Sequence, residues 1–240
     1  MKHKQIYRIL LPITVFLAFA VAIKAKAMNT GFTTEELSEE QKSLLIEATN
    51  LSLLQTEPQK RSIRCFDVNE EGMIAIGQDS SPEENAEILV YNSHGEFLYG
   101  YVFYRGGSDF VVEWDHKNIN ILTFRSRDII SVDSKGNILE IREVPSTVDN
   151  SIYTNTLDSD VKTVNHTRYR IRNKMGPLNL IAFSYSQLVI TDASGTERII
   201  YDVNTEQLIR TITYLSLFQV ALAVGIVFFV KTCIKLNRDK

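Results

Sequence analysis

Late in the chain five basic residues recur at every second position. His166, Arg168, Arg170, Arg172 and Lys174 alternate with Thr167, Tyr169, Ile171 and Asn173. In a β-strand alternate residues share one face, so the spacing predicts a basic ridge. Such a ridge suits anion contact with lipid headgroups, an anionic envelope polymer or an acidic protein partner. Two other readings compete. Positive charge also discourages pairing at an exposed edge strand. The ridge can also pair within the molecule, with Glu35, Glu36, Glu39 and Glu40.

Catalytic chemistry has less to stand on. The four histidines are His3, His94, His116 and His166, and His94 and His116 fall in turn-like stretches expected to be exposed. No zinc-protease, nucleophile-elbow, P-loop or dinucleotide motif is present. Two cysteines, Cys65 and Cys233, make neither a disulfide framework nor a Cys-based zinc site. Cys65 alternates with apolar neighbours and reads as a small buried hydrophobe. Asp158 and Asp160 fall short of a calcium loop, which needs many more oxygens at fixed spacing. No catalytic residue, cofactor or metal site is therefore assigned. Trp114 lies close in sequence to Tyr99, Tyr101, Phe103 and Tyr104. Alternation puts Tyr99, Tyr101 and Phe103 on one face and Tyr104 on the other, for core packing or a partner surface.

Charge is unevenly distributed. The chain holds 26 Lys and Arg against 29 Asp and Glu, net -3. Residues 1–27 carry five basic residues and no acid, whereas residues 28–208 have a net charge of -12. Ile9 to Ile23 is apolar and ends before Ala25-Lys26-Ala27. That pattern fits either a cleaved secretory signal or a short uncleaved anchor, with Lys24 and Lys26 arguing against cleavage. Thr211 to Val230 is free of charge, and 20 residues of helix span about 30 Å, the thickness of a bilayer core. Lys231, Lys235, Arg238 and Lys240 follow it and Arg210 precedes it, which places the C-terminus in the cytoplasm and the central region outside. An acidic domain outside the cytoplasm is not expected to meet nucleic acid.

The central region must position the ridge. Residues 33–55 read as one amphipathic helix, capped by Thr33 or Thr34, with Leu37, Leu44, Leu45, Ala48 and Leu51 on its apolar face. Beyond it the period is two, and the sequence repeats. Ile121 to Gly136 aligns without gaps on Leu180 to Gly195, pairing Phe124 with Phe183, Asp133 with Asp192 and Gly136 with Gly195. Glu87 to Gly95 aligns on the first of these. Each copy ends in an Asn/Asp-x-x-Gly hairpin turn. A second turn is expected at Gly72, at Asn118 and, less regularly, around Asn173 to Pro177. The segment 145–166 reads as a polar surface loop, and Ile199 to Ile212 carries a hint of a fourth copy.

The segments FDVNEEGMIAIG and EILVYNSHGEFLYGYV resemble an NHL-type propeller blade. The likeness covers residues 63–104, then 109–144 and 167–203 more loosely. It implies an interaction platform rather than a chemistry. Three units are fewer than closed propellers use, so the alternatives are a truncated or open array, closure with a partner or second copy, or a twisted meander or sandwich built from the same hairpins. The helix of residues 33–55 is the natural cover for open edges. The expected fold is mainly β: propeller-like or meander repeats, a preceding helix and a transmembrane helix at each end. The division is 1–27 signal or anchor, 28–58 helix and linker, 59–208 β-repeat domain, 209–231 membrane helix and 232–240 cytoplasmic tail. The expected role is an extracytoplasmic binding or sensory domain accessory to a cell-envelope assembly. Alternatives are a carbohydrate-active or hydrolytic ectodomain, and a structural subunit of a transporter or secretion complex.

Overall fold

The computed structural model describes residues 28–238 apart from 81–83 and 183. The N-terminal signal or anchor, Phe183 of the third repeat and the Cys233 side chain lie outside the described residues. The chain runs β1 (Glu35–Glu36), α1 (Glu39–Thr49), β2 (Ser52–Leu54), β3 (Ile63–Val68), β4 (Ile74–Asp79), β5 (Asn85–Tyr91), β6 (Phe97–Tyr104) and β7 (Phe110–Asp115). It continues through β8 (Asn118–Thr123), β9 (Asp128–Val132), β10 (Ile138–Glu143), α2 (Val148–Leu157), β11 (Val161–Val164), β12 (Thr167–Arg172), β13 (Gln187–Thr191), β14 (Glu197–Asp202) and α3 (Asn204–Arg238). The protein is thus mainly β, with an apolar C-terminal helix.

Strands β3 to β14 form three consecutive four-stranded antiparallel meanders, each paired in chain order. Local turn chemistry explains the repetition. Asn92 Oδ1 accepts the backbone N–H groups of His94 and Glu96. Asp133 Oδ1 accepts those of Lys135 and Asn137, and Asp192 Oδ1 those of Ser194 and Thr196. Gly95, Gly136 and Gly195 follow with φ of 87°, 82° and 85°, a region that strains any residue with a Cβ. The Ser194 hydroxyl and the Thr196 N–H hold the Asp192 carboxyl below the usual aspartate range.

The first hairpin of each meander is less uniform than expected. Gly72 has the predicted positive φ, but in the second meander His116 takes it and not Asn118. The third meander turns at Asn165 and His166, not around Asn173 to Pro177. Its first strand, β11, lies inside the stretch read as loop. So does α2, capped by Thr147, whose side chain accepts from Asn150 N. The hint of a fourth copy is β14, the last strand of the third sheet, followed by α3.

The long helix of residues 33–55 is corrected to the eleven residues of α1. Ser38 and Gln41 form a reciprocal capping box there, so neither Thr33 nor Thr34 caps it. Leu44 and Ala48 are exposed, and Leu45 and Thr49 face the β-domain instead. The flanking residues cover the sheet edges. Strand β2 pairs with β6 at the outer edge of the first sheet, and β1 pairs with β10 at the outer edge of the second. Edge cover falls to these strands because only they can take up the open backbone groups.

The first sheet lies between the other two. Cys65, Ala75, Ile88, Val90, Tyr101 and Phe103 share one of its faces and pack on Phe110, Val112, Ile119, Ile121, Ile130 and Ile141 of the second. Its other face, with Phe66, Ile74, Ile76, Leu89 and Tyr91, packs on Tyr169, Ile171, Leu188, Ile190 and Tyr201 of the third. Tyr101 and Phe103 are core residues, and Tyr104 on the opposite face is exposed. Gly77 of β4 sits in the contact between the first two sheets. A Cβ there would lie 2.6 Å from Cys65 Sγ and 2.7 Å from a Phe110 ring carbon.

Gly77→Ala should therefore lower stability by about 1–3 kcal/mol, the usual cost of overpacking. Gly136→Val should cost more than Gly195→Val. Both force the same backbone region, but only at Gly136 does a Cβ crowd a neighbour, Leu53, at 3.2 Å. Urea denaturation of the three variants checks both expectations.

Candidate functional site

The first strands of the three meanders, β3, β7 and β11, lie side by side and run the same way. Cys65 lies by Val112, and Asp67 accepts from Trp114 N at 2.8 Å. Trp114 Nε1 also donates to the Asp67 carbonyl at 3.3 Å, and Lys162 Nζ of β11 lies 3.6 Å from Asp67 Oδ1. The following turns gather at one end of the domain: Asn69 Nδ2 donates to the His116 carbonyl and Asn165 Nδ2 to that of Glu70. Burial pushes the Asp67 carboxyl up, and Lys162 opposes it. Burial also pushes the Cys65 thiol far up, so it is an inert core group.

On the third sheet, Arg168 and Arg170 are exposed and Arg172 is half-buried, while Tyr169 and Ile171 point into the core. The strand alternation is as predicted, but the ends of the ridge differ. His166 lies in the preceding turn and Lys174 beyond the strand. Strand β12 is paired on both sides, with β11 and with β13. The charges therefore do not guard a sheet edge. Nor do they meet the acidic helix start: Glu36 pairs with Arg142 and Glu39 with Lys42. Arg172 Nη1 pairs with Glu197 at 3.2 Å. Among the described residues no acid lies within ion-pair distance of Arg168 or Arg170. Opposite Arg170 sits Val189, buried on the ridge side of the sheet. An arginine's apolar stem can cover such a residue while its guanidinium stays in water.

A second feature lies where α3 leaves the domain. A groove of about 460 Å³ is lined by Arg64, Asp79, Ile181, Arg210, Tyr214 and Phe218, among others. Arg64 and Arg105 both pair with Asp79, at 2.8 and 2.9 Å. Gln207 Nε2 donates to the Ser184 carbonyl at 2.7 Å, which ties the first turns of α3 to the β-domain. Beside them the 3-10 turn Gly176–Ile181 presents Leu180, 91% exposed, and Ile181. Among the described residues no group of three or more His, Cys, Asp or Glu could hold a metal ion. His94, His116 and His166 are all exposed and do not converge with an acid set.

Compared with protein-family models, curated proteins and solved structures, the chain matches none of them.

Sequence reading found the ridge because its signal is local. It missed the Asp67–Lys162 pair and the Arg64–Asp79–Arg105 group, whose members come from separate sheets or strand ends and share no motif. The Asp67 junction has a testable pH signature. Burial makes the folded state hold this proton more tightly than the unfolded chain does. The stabilising contribution is full below the ordinary aspartate value and is lost as pH rises through the raised one. Lys162 limits that loss. Lys162→Ala should cost about 1–3 kcal/mol at neutral pH, from a charge left poorly compensated, and the deficit should shrink as acid protonates Asp67. Chemical denaturation from neutral pH down to the ordinary aspartate value measures it.

Proposed function

We propose that this protein is a membrane-anchored, extracytoplasmic binding module that meets an acidic partner in the cell envelope through Arg168 and Arg170. The observation that carries the reading is the bare helix. Asn204–Phe229 is long and apolar enough to cross a membrane, and its most apolar stretch is unburied along its whole length. Leu217, Phe218 and Phe229 would each waste burial worth about 1.5–3 kcal/mol if they faced water. The excess of basic residues after the span supports a cytoplasmic C-terminus and an outer β-domain.

The loops at the helix end of the domain support the same orientation. Leu180, Ile181, Phe124 and Val148 are exposed there, on separate loops or element starts. A bilayer surface would bury them. The three meanders serve as propeller-type blades in an open array, with β3, β7 and β11 as inner strands. The side-by-side packing around Asp67 supports that assignment. On the third blade the uncompensated arginines stand in an otherwise acidic domain, where they favour an anion over a neutral ligand.

Two measurements test the reading. In intact cells a cysteine introduced as Lys135→Cys, at an exposed hairpin tip, should react with an impermeant thiol reagent, whereas Cys233 should react only after the membrane is opened. Protection of position 135 in intact cells would reverse the orientation. For the ridge, Arg168→Gln with Arg170→Gln should weaken binding of the detergent-solubilised protein to polyglutamate and flatten its salt dependence. Stability should change by no more than about 0.5 kcal/mol, because exposed charges contribute little. Unaltered binding would remove the ridge from the function.

A further inference from the structure

We propose that the groove between α3 and the β-domain holds one anionic phospholipid of the adjoining leaflet, its phosphate on Arg64 and Arg210 and an acyl chain along Leu215 and Phe218. The inference rests on reading α3 as a bilayer span. The groove, of about 460 Å³, has two walls. One is a single face of α3, where Gln207, Arg210, Thr211, Tyr214, Leu215 and Phe218 recur at steps of three and four. The other is Ser62, Arg64 and Asp79, around the start of β3 and the end of β4, with Ile181 of the 3-10 turn.

Depth orders these residues. Arg210 is the last charge before the uncharged run 211–230, so it stands at headgroup level when that run fills the hydrocarbon core. Tyr214 follows one turn further in, where interfacial aromatics collect. From Arg210 to Phe218 the helix rises about 12 Å, which carries Leu215 and Phe218 among the acyl chains. The groove therefore changes from polar to apolar along α3 in the order of a lipid molecule. A soluble phosphate compound would leave the exposed Ile181 and Phe218 uncovered, whereas a lipid chain covers them.

Charge selects the headgroup. Around the polar end three guanidinium groups face two carboxylates. Arg105 is committed to the protein: it donates to the carbonyls of Asn85 and Ser108 and to Asp79 Oδ1. Arg64 reaches the other Asp79 oxygen through Nε and Nη2, at 3.0 and 2.8 Å, which leaves Nη1 without a partner among the described residues. The exposed Asp109 also acts on Arg64, from beyond ion-pair distance. Arg210 stands over the Tyr214 ring at 5.8 Å, and among the described residues no acid lies within ion-pair distance of it. Glu206, one turn earlier, lines the neighbouring cleft with Lys60 and Lys174 instead. The polar end thus keeps a positive charge in excess on an otherwise acidic domain. A phosphodiester only accepts hydrogen bonds, and guanidinium N–H groups give it charge-assisted ones. A zwitterionic lipid brings an ammonium to the same place, which Arg64 and Arg210 oppose. An anionic lipid brings none.

The test uses the full chain in phosphatidylcholine vesicles with a trace of spin-labelled phosphatidylglycerol or spin-labelled phosphatidylcholine. The motionally restricted share of each label gives its preference for the protein. Lys231 and Lys235 beyond the span also attract anionic headgroups, so the variants carry the decision. The wild type should prefer the anionic label, and Arg64→Gln with Arg210→Gln should lower that preference about fivefold, the usual effect of one basic residue at an anionic surface. Arg210→Gln alone breaks no ion pair and should act in the same direction with unchanged urea denaturation. Wild-type preference in both variants would overturn the site. Thr211→Trp keeps both arginines and fills the groove, and it should also lower the preference. An undiminished preference there would reduce the arginines to bare surface charge. Millimolar glycerol phosphate should leave the anionic label in place, and its displacement would overturn the acyl-chain seat. Alkaline extraction of the vesicles separates this proposal from the reading beneath it. A released chain overturns the span and the lipid site together, whereas a retained chain whose arginine variants keep the preference overturns the lipid site alone.

Discussion

The largely enclosed carboxylate of Asp67 joins the three sheets. Withdrawing a carboxylate from water costs several kcal/mol in practice, and the cost is offset only when partners arrive in good geometry. Here the partners come from elsewhere: Trp114 N–H from the second sheet and Lys162 Nζ from the third. Neither sheet alone supplies both. Docking of β3, β7 and β11 is thus coupled, because a first sheet packed on only one neighbour would hold a poorly compensated charge on its edge strand β3. The apolar faces could slide past one another, whereas Asp67 fixes which residues of β3, β7 and β11 stand level.

A stack of three sheets leaves two outer faces to cover, and the chain does so in two ways. The second sheet's outer face is apolar in part, where Val111, Leu122 and Ile129 lie in one buried cluster with Phe32, Leu37 and Leu157, and polar in part, with Glu113, Asp115, Asn120, Ser131 and Glu140. The polar part is covered by backbone: the N–H groups of residues 28, 29 and 31 satisfy its carboxylates, and Tyr153 of α2 closes over Gly31. The close approach requires glycine, since a Cβ on Gly31 would enter the Tyr153 ring. Among the described residues nothing comparable lies over the third sheet's outer face, where Arg168 and Arg170 are exposed and the buried Val189 stands opposite Arg170. An arginine stem can shield such a residue while its charge remains in water.

How much of this was legible in the sequence follows from the range of each interaction. The hairpins at Asn92, Asp133 and Asp192 were readable because one side chain and one glycine, within four residues, set each turn. The inward Tyr169 and Ile171 were readable for the same reason. Helix α2 was not: Val-Asp-Asn-Ser-Ile-Tyr-Thr-Asn-Thr-Leu is poor in strong helix formers. It is held instead by Asn150 and Tyr153, which bond to the segment around Thr33 and to Glu113, 117 and 40 residues distant respectively. Residues 33–55 erred the other way. Helical spacing of leucines was visible, and so was the need to cover open edges, but not that the short strands β1 and β2, rather than a helix, would pair with β10 and β6. The ridge's neighbours were equally hidden, since pairing of β12 on both sides depends on β11, which lay in apparent loop.

The two ends of the inner strands differ in kind, and that difference gives the ridge a direction. One end gathers polar turns around Asn69, His116 and Asn165; the other carries exposed apolar side chains and the departing helix. Strand β12 runs between these ends, with His166 in the turn at the polar end and Lys174 near the start of α3, where it lines a cleft with Asn204 and Glu206. Arg168 and Arg170 consequently form a column along the strand between these two ends. If α3 is anchored as proposed, that column is directed away from the bilayer, and lipid headgroups would meet Lys174 before Arg168. On that reading the ridge suits a partner that stands beside the domain, with acidic groups spaced along a strand's length, better than the membrane itself.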